Sequence, residues 1–328
     1  MHVATWAVFF ALRIPCTDAL DAATPKADSV SATPEAATPP TPTAIQAIAS
    51  PLPKLLLPKG LRELGLTWPR RRRLPAGRTS LVESSPGLNE VSTYDVTYGF
   101  LGTVGQLSIS TGVASKASDG VPILQIHGEG GGEVFGLGKF ERSIETEVDL
   151  AAKQPRRWRA VRHSESLTSR QTIVDSVQRN PGDALSIERR KGDSPTPTST
   201  ETLIANGFTA DPLGLIWRLR HQTLTEGEAI VLQMLDGVAL WRIDGRVIGV
   251  SVAVPESSRL GIQIDAVLTP IMYNGQPDPV RSERRFRLWL DTALGQIPLR
   301  LEMPIGVADA VLKLKESRPL VAAAAATR

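Results

Sequence analysis

The sequence predicts a mainly β protein built from antiparallel strands. Three observations carry that expectation. Apolar and polar residues alternate with period two in many short runs, and Asp-Gly pairs stand between β-rich runs. No long stretch alternates strands with amphipathic helices, which a parallel α/β sheet requires.

The first segment, residues 1–22, contains the apolar patch Ala7–Leu12, too short to span a bilayer as a helix. It resembles the hydrophobic part of a secretory signal without the positively charged start, with Ala22 as a candidate cleavage point. A wrongly assigned start codon would also produce such a beginning. Residues 23–88 read as an Ala/Thr/Pro-rich disordered tether, since no aromatic residue occurs between Phe10 and Trp68. A stretch like Ala23–Pro58 buries too little apolar area to offset its ordering entropy.

The folded β domain is expected over residues 89–316. Val91–Phe100 places Tyr94, Val96, Tyr98 and Phe100 on one face, Leu101-Gly102 turns the chain, and Gln106–Ser110 alternates again. That is a hairpin with one buried face. Next comes the glycine-rich stretch His127–Phe140, which raises the question of a phosphate cradle. Its spacing argues against one. A Walker-type loop needs glycine where Glu133 stands and Ser or Thr where Phe140 follows Lys139. The dinucleotide fingerprint fails at Glu133 too, so this stretch is expected to be a flexible strand connection and no nucleotide is expected to bind.

Ser143–Leu150 alternates again, with Ile144, Thr146, Val148 and Leu150 opposite Glu145, Glu147 and Asp149. Arg190–Ser199, with Pro195 and Pro197, reads as a polar loop. Asp211-Pro212 is an N-cap followed by proline at the first helical position, and Leu213, Ile216, Trp217 and Arg220 recur at helical spacing. They predict a short helix of about three turns in which Trp217 is the structural anchor. Beyond it, Ile230–Leu235, Val238–Ile243 and Arg246–Val250 are separated by Asp236-Gly237 and Asp244-Gly245, which predicts three consecutive antiparallel strands. Alternation returns at 260–268, 286–290, 297–303 and 308–314. Residues 317–328, with the alanine run 322–326, are expected to be a disordered tail.

Composition excludes several classes. The net charge of +3 from 37 basic and 34 acidic residues gives no reason to expect nucleic acid. The basic run Arg70–Arg73 lies among prolines and reads as solvated linker. Cys16 is the single cysteine, so there is no internal disulfide and no cysteine-based zinc site. His2, His127, His163 and His221 stand at no metal-ligand spacing. No Gly-x-Ser-x-Gly elbow offers a nucleophile. No metal, cofactor or catalytic residue is expected.

The order of features resembles a bacterial family known as domain of unknown function 3108. The match is carried by Tyr94-Asp-Val-Thr-Tyr98, by Asp149 with Pro155-Arg-Arg-Trp158, by Asp211–Arg220 with Gly227-Glu228, and by Phe286–Glu302. What the resemblance implies is an exported or membrane-tethered envelope protein. Its β domain would be a long curved antiparallel sheet or incomplete barrel, with one or two short helices packed against it. It implies no established activity.

Two constellations invite a chemical reading. Glu145, Glu147 and Asp149 share a strand face, which is usually just the wet one. Asp211, Trp217, Arg218 and Arg220 offer an anionic headgroup anchor, against a reading in which Trp217 packs in the core and the arginines pair nearby. The leading expectation is a non-catalytic protein of the periplasm or cell envelope that binds an apolar or amphipathic ligand, such as a lipid, or an envelope protein partner. The alternatives are an envelope-polymer enzyme with dispersed carboxylates and a purely structural interaction module.

Overall fold

A computed structural model of the protein describes residues 89–113, 120–134, 138–166, 169–205, 207–292, 295–306 and 308–319. The expected signal or anchor segment, the tether, Cys16, Arg70–Arg73 and the alanine run lie outside the described residues.

The domain is mainly β, as its alternation predicts. The first half contributes β1 (Glu90–Tyr98), β2 (Thr103–Val113), β3 (Ile123–Val134), β4 (Gly138–Asp149), β5 (Gln154–Glu165), β6 (Arg170–Arg179), β7 (Ala184–Lys191) and β8 (Ser199–Ile204). The second half holds β9 (Thr209–Ala210), helix α1 (Pro212–Arg220), β10 (Ala229–Asp236), β11 (Ala239–Val254), β12 (Arg259–Ile271), β13 (Arg284–Asp291), β14 (Pro298–Ile305) and β15 (Ala308–Pro319). β15 thus runs three residues past the expected domain end.

All fifteen strands form one sheet in the order β8-β7-β6-β5-β4-β3-β2-β1-β15-β14-β13-β12-β11-β10-β9. Every neighbouring pair is antiparallel except β9 with β10. The chain starts in the middle of the sheet, winds out to the β8 edge, crosses to the β9 edge, and winds back until β15 meets β1.

That crossing forces curvature. Fifteen flat strands would be about 67 Å wide, whereas the link from Ile204 to Thr209 spans at most about 19 Å. The sheet therefore rolls up until its edges are neighbours, without closing into a barrel. Side chains bridge the seam instead of a ladder. Arg179 on β6 donates to the Pro155 carbonyl at 3.0 Å and to the Thr209 carbonyl of β9 at 2.8 Å.

Helix α1 sits inside the roll, its residues sharing one core with the inner faces of β1–β5 and β10–β15. Asp211 caps it, accepting from the Leu213 and Gly214 amides at 2.9 and 3.3 Å. Eight of its nine residues are buried, so the helix is a plug, not a surface element. A second core joins Trp158, Val177, Leu185 and Ile187 to Leu235 and Leu240 across the interior.

Four expectations need correction. Most of the glycine-rich stretch is no loose connection: residues 123–134 are β3, paired with β4 throughout and with β2 from Leu124 to Gly132. Gly128, Gly130 and Gly132 share its inner face and are small for a reason. A Cβ on Gly128 would lie 3.0 Å from Leu213 Cδ1 of α1, and one on Gly132 would overlap the Val104 carbonyl oxygen and press on the Phe140 ring. Asp244-Gly245 is no turn, because both residues lie inside the sixteen-residue β11. Asp244 points outward and pairs with Arg242 at 2.9 Å, while Gly245 packs between β10 and β12, where its Cβ would meet Ala266 and Ile230. The hairpin at Asp236-Gly237 is real, but its two loop residues are Gly237 and Val238, with Asp236 paired to Ala239. Finally, Phe100 does not extend the buried face of β1; it lies in the following turn, 88% exposed.

Candidate functional site

Between α1 and the inner faces of β10–β14 the interior is not filled. Leu215, Ile216 and Leu219 of the helix face Ile230, Leu232 and Met234 of β10 across a cavity. Ile243, Gly245, Ile264, Ala266 and Leu268 form its floor, and Phe286, Leu288, Leu301 and Met303 close the far wall. All fifteen lining residues are apolar. The void encloses about 50 Å³, or about 610 Å³ of atom-free space with its opening counted. Voids lined by Leu, Ile and Phe stay dry and accept apolar guests.

Sequence alternation explains the lining. Each strand turns every second residue inward, and on β10–β14 those residues are almost all aliphatic. The register stacks them in rows: Ile230, Gly245, Ala266 and Phe286 form one, and Val247, Ile264, Leu288 and Leu301 another. Gly245 and Ala266 are the small members, and they hollow the floor. Beyond Ile264 the apolar face continues through Ile262 to Val250, Val252 and Leu260, which are exposed.

Polar groups gather at the other end. Arg142 of β4 and Asp236 of β10 form an ion pair with both side chains buried. Next to it, Asp175 of β6 receives Arg189 of β7 at 2.6 Å and Arg162 of β5 at 2.6 Å. The β10–β11 turn is seated on this second group: a Cβ on Gly237 would lie 2.6 Å from Asp175 Oδ2 and 2.8 Å from Arg189 Nη2. Gly237 also has φ +63, so two independent constraints demand glycine there. Arg284 of β13 lies over the Trp241 ring, 5.6 Å from its centroid. Burial lowers its pKa, with Asp236 opposing that shift.

The residues singled out from sequence fall elsewhere. Trp217 is 5% exposed and stacks on His221 with ring centroids 4.5 Å apart. Arg220 pairs with Glu90 and donates to the Gly295 carbonyl at 3.1 Å, and Arg218 lies over Phe208. They do not converge on a headgroup site. Asp211 is buried, and burial pushes its carboxyl up to about 6 against hydrogen bonds from Thr146, Leu213 and Gly214. Its Oδ2 is buried with no hydrogen-bond partner. Glu145 and Glu147 lie on the outer face of β4, where Glu147 pairs with Arg157 at 2.5 Å. Asp149 accepts from the Ala151 and Ala152 amides in the β4–β5 turn. Lys139 is exposed and pairs with Glu141 at 2.6 Å. Among the described residues, no three His, Cys, Asp or Glu side chains gather as a metal site, and no helix is long and apolar enough to cross a membrane.

The sequence reading missed the arginine group because Arg142, Arg162, Arg189 and Arg284 come from four strands. One signal was present. Arg142 falls on the same alternating face as Phe140, Ile144 and Val148, and an arginine on an apolar face needs a buried partner.

No curated protein matches the chain. Among solved structures it is similar to a beta-barrel-like protein of the domain of unknown function DUF1849 from Brucella abortus. That likeness has 11% identity and a TM-score of 0.43 over 71% of this chain and 99% of the other. The family described as "Protein of unknown function (DUF3108)" matches residues 93–315, more than half of the sequence, and the chain belongs to that family.

Proposed function

We propose that this domain is a non-catalytic binder of a single apolar chain, acting in the cell envelope, and that the chain occupies the cavity between α1 and β10–β14. The observation that carries the reading is the lining itself: fifteen side chains from one helix and five strands, with no polar residue among them. An enclosed site for catalysis or for a polar ligand places at least a few polar groups toward its centre. The exposed Val250, Val252 and Leu260 support the same reading, since they prolong the apolar face for a ligand longer than the void. From Leu268 to Leu260, β12 runs about 27 Å.

Mass spectrometry of lipids extracted from protein purified out of its native envelope tests the proposal. An acyl or alkyl molecule should accompany the wild type and be lost from Ala266→Phe, whose ring fills the floor. Protein that is free of lipid, and whose melting temperature dodecanol does not change, would refute it.

A further inference from the structure

We infer that the Arg284 end of the cavity is an anion subsite, so that the ligand is a single-chain amphiphile whose charged head meets Arg284. The inference rests on the apolar-chain reading above and names the chemistry of the other end of the molecule.

Register places the head. Leu232, Ile243 and Leu268 are aligned across β10, β11 and β12, and all three line the cavity. The fourth member of that row, on β13, is Arg284. A guanidinium thus stands in line with three cavity walls, two residues along the strand from the lining residue Phe286. An arginine whose only task was solvation would have no reason to occupy the inward position.

Charge gives the second argument. Behind Arg284 lie Asp236 with Arg142, and across the Gly237 turn lie Asp175 with Arg162 and Arg189. Four guanidiniums thus gather around Asp236 and Asp175. Glu201 reaches this flank beside Tyr273. The buried Arg162 Nε has no hydrogen-bond partner, although Nη2 of the same residue is paired. A carboxylate or phosphate head is the chemical complement of this guanidinium-rich end, and guanidinium forks bind such groups through two parallel hydrogen bonds.

Calorimetric titration of the full chain with dodecanoate, dodecanol and inorganic phosphate decides the matter. Dodecanoate should bind at least about tenfold more tightly than dodecanol, and phosphate alone should bind far more weakly than dodecanoate. Arg284→Gln should bring dodecanoate down to the affinity of dodecanol and leave dodecanol unchanged. Arg284→Lys, which keeps the charge, should retain a preference for dodecanoate and covers the case in which the glutamine variant does not fold. Equal affinity of the wild type for dodecanoate and dodecanol would overturn the anion subsite and leave the apolar cavity standing. Failure of both amphiphiles to bind would overturn both readings, and phosphate binding as tight as dodecanoate would show a free-anion site independent of any chain.

Discussion

Helix α1 meets two walls of the same sheet in different ways. On the β3 side the wall is glycine, and Leu213 rests almost on the backbone at Gly128. On the β10–β14 side most lining residues carry full aliphatic side chains, with Gly245 and Ala266 as the small members, and space remains between this wall and Leu215, Ile216 and Leu219. The larger residues stand on the emptier side. Interior room therefore reflects both how far each wall lies from the helix and the small residues Gly245 and Ala266 in the cavity floor. A core selected for packing alone would fill both sides to similar density. The unfilled side is the one that carries the proposed site.

Four measurements break or sharpen this contrast. The largest effect is expected at Trp217, which holds the helix between both walls. Trp217→Ala should cost about 3–5 kcal/mol, read as a lower urea midpoint. An unchanged midpoint would mean that the helix is not anchored there and that neither wall is defined by it. Next is Asp211. Its folded pKa of about 6 lies above the ordinary 3.8, so the protonated form is the one that the fold favours. Its contribution is complete below pH 3.8, falls as pH rises toward 6, and is gone above that. Across this window wild type should lose about 3 kcal/mol relative to Asp211→Asn. Parallel stability–pH curves for the two proteins would contradict that assignment.

On the filled wall, Gly132→Ala should cost about 1–3 kcal/mol, since its Cβ meets backbone on β2, which cannot swing aside. On the unfilled wall, Ala266→Leu should cost less than about 0.5 kcal/mol or stabilise the fold. Chemical denaturation of the two variants side by side gives the comparison directly. Equal costs would mean that the cavity side is as tightly packed as the glycine side.

Much of the fold was legible because its signals are local. Period two marked most strands, and Asp211-Pro212 marked the start of the helix to the residue. Asp244-Gly245 misled because the same dipeptide serves a strand when its aspartate faces water and its glycine faces a crowded interior. The glycine stretch misled in a related way. Gly128, Gly130 and Gly132 recur with period two, yet without side chains they carry no apolar signal. The site was far less legible. The cavity is assembled from a helix and five strands between Leu215 and Met303, and the arginine group from strands more than a hundred residues apart in sequence, brought together by a roll that follows from strand order and not from any short motif.

The strand order also dictates a timetable. β1 is the first strand of the domain to leave the ribosome, and its second neighbour, β15, is the last. Tyr98 and its partner Ala310 are separated by more than 200 residues, or about 10–40 s of synthesis. Throughout that interval one edge of β1 has no partner strand, with Tyr94, Val96 and Tyr98 beside it. Ladders of such high contact order form slowly, and an unpaired apolar edge invites intermolecular pairing. The nascent domain therefore depends on shielding of β1 until the final strand arrives. Completion of the sheet is a single late event that joins its beginning to its end.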